Sequence, residues 1–279
     1  MTLAPGVIPT VRLNTGAEMP QLGFGVFRVD DSFTAVAAAL SAGYRLIDTA
    51  ASYENEVGVG RAIRESGVPR ADLFVTTKLA NSEQGYDATL RAFDASLRRL
   101  ELDTVDLYLI HWPMPVRDLY LESWRALEAI HASGRALAIG VSNFGVGHLR
   151  RLIGNCVVVP AVNQVELHPG FPQLELRELH REFGVVTEAW SPLARGAALL
   201  DRSELAGMAA ATGRTPAQIV LRWHLEEGHV VIPKSITPAR IRENLDVFDF
   251  TLTPEQHAFL DGMVEPARVG PDPETFGSH

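Results

Sequence analysis

Val105-Asp106-Leu107-Tyr108-Leu109-Ile110-His111 is a run of β-forming residues with an imidazole at its C-terminal end. A short, mostly apolar run between amphipathic stretches reads as a strand of a parallel sheet covered on both faces. The same unit recurs in both directions along the chain. Strand-like runs lie at Leu22 to Gly25, Leu46 to Asp48, Leu73 to Lys78, Ala138 to Ser142, Ala161 to Val165, Val185 to Ser191 and Val230 to Pro233. Between them, Ser32 to Ala42, Gly85 to Leu100, Tyr120 to Ser133, Leu174 to Phe183 and Thr215 to Glu227 carry apolar residues at three- and four-residue spacing, the pattern of helices with one covered face. Gly43, Gly67, Gly134 and Gly184 stand where those helices should stop, because glycine takes the left-handed C-cap without steric cost. The alternation predicts the α/β class and a single (β/α)8 TIM barrel.

At 279 residues the chain has the length at which such barrels fold as one unit. No linker or low-complexity stretch divides it, so residues 1-279 are read as one domain. Val11 to Met19, around Asn14-Thr15-Gly16, predicts an N-terminal β-hairpin able to plug the barrel's N-terminal mouth. Extra helices are expected at Ser203 to Ala211 and Pro254 to Met263, and the tail from Glu265 to His279, rich in Pro and Gly, is read either as folding over the C-terminal face or as a loose end.

Composition narrows the function. The chain is 46% hydrophobic with no apolar run near the roughly 18 residues of a membrane span. Met1 to Thr10 carries no secretory or lipid-anchor pattern, so a cytoplasmic location is expected. The lone Cys156 excludes an internal disulfide and a thiolate metal cluster. A formal charge of -9, with no basic run, argues against nucleic acid and against an anionic membrane surface. A small-molecule substrate and a monomer are the expected partner and state. Of 25 basic residues only Lys78 and Lys234 are lysines, and each closes a strand-like run. Arginine cannot replace an amine whose compact charge or titration matters.

In a barrel of this kind, side chains at strand C-termini converge on one mouth. Asp48, Lys78 and His111 close three successive runs, and Tyr53 follows the first of them. Singly, each has an ordinary structural role: a helix cap, a half-buried ring, a solvated strand end, a packed imidazole. Together they form an acid. A free phenol titrates near pH 10, about three units too high for efficient proton donation at neutrality, and an adjacent ammonium favours the phenolate. Lys78 is placed to lower the Tyr53 pKa, Asp48 to hold the lysine charged, and His111 to orient or donate to a substrate oxygen. The chemistry implied is protonation of an oxygen as it becomes negative.

These residues sit in segments that resemble the aldo-keto reductases, in particular the 2,5-diketo-D-gluconate reductase branch. The matching segments include Gly23-Phe24-Gly25-Val26-Phe27, Ile47-Asp48-Thr49-Ala50 with Tyr53, Thr76-Thr77-Lys78-Leu79 and Val105 to Pro113. They continue through Ile139 to Phe144, Val162 to Pro169, Ile232-Pro233-Lys234-Ser235 and Glu243-Asn244-Leu245. The resemblance implies NADPH-dependent reduction of an aldehyde, ketone or dicarbonyl, with hydride reaching the carbonyl carbon while Tyr53 protonates the oxygen. It further implies that Ser142, Asn143 and Gln164 grip the nicotinamide carboxamide, that Trp190 stacks on the ring, and that Ser191 and Leu193 meet the pyrophosphate. Lys234, Ser235 and Arg240, at the start of a helix, would hold the adenosine 2′-phosphate, with Glu243 and Asn244 near the adenine. NADP is therefore expected over NAD.

The chain lacks a G-x-G-x-x-G after a strand, and Gly58-Val59-Gly60 falls inside a helical pattern, so it reads as helix packing. Relatives commonly carry Trp two positions after the lysine, where this chain has Ala80. Phe27 and Trp112 are then the apolar walls of a broader substrate pocket, and Trp124 and Trp223 belong to the core. Rival readings are a Schiff-base aldolase using Lys78, a zinc hydrolase on Glu166-Leu167-His168, and a barrel that binds NADP as a redox-sensing subunit. No metal is expected.

Overall fold

The computed structural model describes residues 8–265 and 267–277; the first seven residues of the stretch Met1 to Thr10, and Pro266, Ser278 and His279 of the tail, lie outside the described residues. An antiparallel hairpin, β1 (Thr10–Arg12) and β2 (Glu18–Pro20), comes first, with Val11 opposite Met19. Gly16 turns it at a φ of 88°. The repeating units follow: β3 (Phe24–Gly25), α1 (Ser32–Ala42), β4 (Leu46–Asp48), α2 (Glu56–Glu65), β5 (Phe74–Leu79), α3 (Tyr86–Leu100), β6 (Val105–Ile110) and α4 (Tyr120–Ala132). Then come β7 (Ala136–Ser142), α5 (Val146–Ile153), β8 (Val162–Glu166), α6 (Leu174–Phe183), β9 (Val186–Trp190), α7 (Ala197–Leu200), α8 (Ser203–Thr212), α9 (Pro216–Glu226), β10 (Val230–Val231), α10 (Pro238–Leu245) and α11 (Pro254–Asp261).

Strands β3 to β10 pair in parallel in chain order. The ends of the sheet meet: Leu22 bridges Val231 in parallel, and Gly23 N–H donates to the Val231 carbonyl at 2.8 Å. The eight-stranded sheet is therefore closed into the expected (β/α)8 barrel. Expected strand limits moved by at most two residues: β4 is unchanged, β7 starts two residues earlier, and β3 and β10 are shortened by two, where closure uses isolated bonds in place of a full ladder. Gly43 and Gly184 are left-handed caps of α1 and α6, whereas Ser66 and Ser133 cap α2 and α4 one residue before Gly67 and Gly134.

Alternate strand residues face the barrel axis. Leu13 and Met19 from the hairpin join inward-facing Leu46, Phe74, Leu107, Ala138, Val162 and Val230 in one buried cluster. The hairpin thus seals the base with hydrocarbon. Two or four residues further along four of these strands the inward positions become Asp48, Lys78, Ser142 and Gln164, and β9 adds Glu188, all at most 2% exposed. The apolar base makes the polar mouth a low-dielectric site. Neighbouring outward residues such as Tyr108, Ile139 and Ala189 pack under the helices. Trp124 and Trp223 are core residues, 1% and 0% exposed. No helix among the described residues is long and apolar enough to cross a membrane.

Candidate active site

Asp48 and Lys78 end up side by side because β4 and β5 pair in a register that sets Asp48 opposite Thr76, one inward step below Lys78. Lys78 Nζ donates to Asp48 Oδ1 at 2.6 Å and to the Thr49 carbonyl at 2.9 Å. A 3-10 turn, Ala51–Tyr53, returns the chain so that the Tyr53 hydroxyl lies 3.5 Å from the same ammonium. The Tyr53 ring meets the His111 ring edge-on at 5.5 Å. His111 Nδ1 and Ser52 Oγ share a hydrogen bond of 3.1 Å. Asp48, Tyr53, Lys78 and His111 therefore share one cluster.

Burial opposes the charge on Lys78, yet Asp48, with Tyr53 and Glu188 behind it, lifts its pKa above the ordinary value. Lys78 is an ammonium, which does not suit a Schiff-base nucleophile. Burial also lowers the His111 pKa well below its usual value, with Lys78 adding to the effect, so the ring is neutral and retains one N–H. The Tyr53 phenol corrects the sequence reading. Its pKa is raised, because loss of water outweighs the downward pull of Lys78. The ammonium lowers the pKa only against a larger desolvation effect that sequence does not reveal.

A second network adjoins this one. Asn143, held at a φ of 63°, donates from Nδ2 to the His111 carbonyl and to Ser142 Oγ, both at 3.0 Å. Its Oδ1 accepts from Trp190 Nε1 at 2.8 Å. Ser142 Oγ donates to the Gln164 carbonyl at 2.9 Å. Gln164 Nε2 bridges two carboxyl groups, Asp48 Oδ2 at 2.8 Å and Glu188 Oε2 at 2.9 Å. Ser191 follows with φ 48°, and Leu193 packs half-buried on the core.

Lys234 and Arg240 are exposed at the start of α10, whose N-cap, Thr237, makes no side-chain capping bond. Its first amides are thus open donors beside two cations, and this end fits a phosphate. Ser235 is buried, and its Oγ accepts from Thr237 N–H at 3.1 Å. Asn244 is buried, while Glu243 Oε1 accepts from Thr215 Oγ at 2.8 Å, which ties α10 to the cap of α9.

Phe27 is 49% exposed and leans on Tyr53 with centroids 5.1 Å apart. Trp112 is buried under the tail residue Phe276. A groove of about 530 Å³ opens beside Ala80 and Ala51, between α2 and α3. Sequence reasoning missed three participants. Glu188 is one inward step before Trp190, a position that strand alternation alone could have flagged. Phe276 is the one aromatic residue in the tail from Glu265 to His279. Glu166, weighed as a metal ligand, instead accepts from the backbone of Val269 and Gly270 at 2.5 and 2.7 Å, which clamps the tail over the mouth. Glu227, His257 and Asp261 also bring ligand atoms within 4.8 Å of one another, but each is engaged, by Arg177, Glu226 and Trp223 respectively.

The sequence pattern of the Aldo/keto reductase family matches residues 12–265. The chain is 53% identical over 270 residues to an aldo-keto reductase of Mycobacterium sp. (strain JLS), covering 96% of this chain and 98% of that one. It is 50% identical over 268 residues to the glyoxal reductase of Bacillus subtilis (strain 168), covering 95% and 96%. Among solved structures, a Gox0644 variant in complex with NADPH superposes with a TM-score of 0.91 at 45% identity, covering 96% and 98%.

Proposed function

Because the chain belongs to the aldo/keto reductase family, we propose that it reduces small aldehydes, ketones or dicarbonyls to alcohols with NADPH, using Tyr53 as the general acid. The observation that carries the assignment is the Tyr53 hydroxyl at 3.5 Å from an ammonium that is itself locked to Asp48 at 2.6 Å. Bound reduced NADP supplies a hydride to the carbonyl carbon. The chain's own residues handle the oxygen. Tyr53 gives it a proton as the negative charge develops; Lys78 stabilises the resulting phenolate, and the hydroxyl regains its proton from solvent. Asp48 keeps Lys78 charged, and neutral His111 offers an N–H that orients the oxygen.

Asn143, Ser142 and Gln164 present amide and hydroxyl groups suited to a carboxamide, and half-buried Trp190 offers a ring for stacking. Ser191 and Leu193 lead toward the pyrophosphate, and Lys234, Ser235 and Arg240 toward the 2′-phosphate, with Glu243 and Asn244 beside the adenine. Phe27 and Trp112 wall the substrate side. The resemblance to a glyoxal reductase supports small dicarbonyls as substrates, and the motif likeness supports placement near the 2,5-diketo-D-gluconate reductases. Ala80 supports a broad pocket. We read the protein as a one-domain cytoplasmic monomer. Its charge of -9 supports small-molecule partners over nucleic acid or an anionic membrane.

The test is NADPH oxidation against aldehydes, dicarbonyls and keto-sugars. Tyr53→Phe is expected to keep cofactor affinity and to lose about 100-fold or more in turnover; retained turnover removes Tyr53 as the acid. Arg240→Ala is expected to weaken NADPH more than NADH. Equal efficiency with both coenzymes in the unaltered protein removes the 2′-phosphate assignment.

A further inference from the structure

Glu188 is 0% exposed and points to the barrel axis from the middle of β9. Its Oε2 accepts from Gln164 Nε2 at 2.9 Å, and its Oε1 has no hydrogen-bond partner among the described residues. The other hydrogen of that amide goes to Asp48 Oδ2 at 2.8 Å, and Asp48 Oδ1 holds Lys78 at 2.6 Å. Lys78 in turn faces Tyr53. Four polar contacts therefore join a buried carboxyl to the phenol.

The charged and titratable groups around Glu188 are few. Asp48 faces it from β4, Lys78 from β5 and, beyond Lys78, Tyr53 from the 3-10 turn. β8 contributes the neutral Gln164, while the Glu166 carboxylate is turned to the tail amides. β10 sets Val230 beside it in register. Two carboxyl groups thus share one ammonium in a site without water's dielectric, where only one of them ionises readily. Burial first, and the Asp48 charge second, push the Glu188 pKa up to about 8.

Resting on the assignment of Tyr53 as the acid, we propose that Glu188 is a positioning residue that sets the strength of that acid through Gln164 and Asp48. As a neutral carboxyl it leaves a single negative charge to balance Lys78, and the phenol gives up its proton. Ionised, it adds a second negative charge beneath the pair, and the phenol holds its proton more tightly. Reduction should then weaken as Glu188 loses its proton with rising pH.

The experiment is turnover of NADPH-dependent carbonyl reduction between about pH 6 and pH 10, with NADPH affinity measured by fluorescence on the same proteins. The unaltered enzyme is expected to lose turnover on an alkaline limb with an apparent pKa near 8. Glu188→Gln, which keeps an acceptor for Gln164 but cannot ionise, is expected to lose the limb near pH 8, so that turnover holds its plateau to higher pH. Its NADPH affinity should change less than about threefold. Glu188→Asp, which keeps a carboxyl, should retain the limb. Superimposable profiles for Glu188→Gln and the unaltered enzyme overturn the proposal. So does a loss of NADPH affinity equal to the loss of turnover at every pH, which would make Glu188 a prop for the cofactor cradle. Tyr53→Phe separates the two readings. If that variant stays active, the acid assignment itself falls; if it is inactive and Glu188→Gln keeps the limb, only the role of Glu188 falls.

Discussion

Phe276 lies on Trp112 with ring centroids 4.2 Å apart and planes tilted by 31°, so the C-terminal tail and the loop after β6 together build one wall of the mouth. Such a pair is worth about 0.5–1.5 kcal/mol beyond its buried area. Phe276→Ala should therefore raise KM for apolar carbonyls by up to about tenfold, with a much smaller change in kcat. Equal loss of kcat across all substrates would instead mean that the tail acts on the chemistry.

The Asp48–Lys78 pair, with side chains 2% and 0% exposed, cannot lose one member without leaving the other charged and dry. Lys78→Met is expected to cost about 3–5 kcal/mol in stability and to reduce turnover by about 100-fold or more. Thermal melts and steady-state rates on one preparation check both. Near-unaltered turnover would show that the ammonium does not support the phenol.

Gly60 sits where α2 crosses α3, and a Cβ there would come within 2.1 Å of the Leu100 carbonyl oxygen. Backbone cannot yield as a flexible side chain can, so Gly60→Ala should destabilise by about 1–3 kcal/mol. Gly207, inside α8, has nothing within 4 Å of its added Cβ. Gly207→Ala should be neutral or stabilising by up to about 1 kcal/mol, the helix-propensity difference. Chemical denaturation of the two variants should shift the midpoint in opposite directions, or leave Gly207→Ala unmoved.

Acid should weaken the fold before most carboxylates titrate. Burial first holds His180 and His224 down to about 3, and His229 to about 2, with Arg177 and, for His229, neighbouring His224 adding to it. In the unfolded chain these rings titrate near their ordinary value of about 6.5. Between those limits the unfolded state binds more protons, so stability rises with pH through the window. It is fully present above about pH 6.5 and is lost progressively as pH falls toward 3. The urea midpoint should drop already between about pH 7 and pH 5. His229→Gln should flatten that drop; an unchanged slope would assign it to other groups.

Much of the barrel was legible because strand and helix periodicities are local. The helix Ser32 to Ala42 and the hairpin turn at Gly16 stand where the pattern puts them, and the run Val105 to His111 forms a strand that ends one residue earlier, at Ile110. The short α5 and α7 were not among the expected helices; α7, at four residues, is a single turn with no periodic signal. The convergence of Asp48, Tyr53, Lys78 and His111 could be anticipated from strand ends alone. Strand alternation could place Glu188 on the inward face of its strand, but neither its burial beside Asp48 nor the position of Phe276 could be read. Glu188 looks like any polar residue within a strand, and Phe276 lies in an aperiodic tail whose path depends on Glu166 capturing two amides.

The amino-acid sequence by itself determined the α/β class, the eight repeating units, the family and the side chains at the strand ends, because each follows from spacing along the chain. Tertiary structure alone decided how those groups balance one another. Closure of the sheet removes water from a pocket holding two carboxyls, one ammonium and one phenol, and desolvation there outweighs the pull of Lys78 on Tyr53. That sign depends on burial and distance in three dimensions, which no one-dimensional pattern encodes.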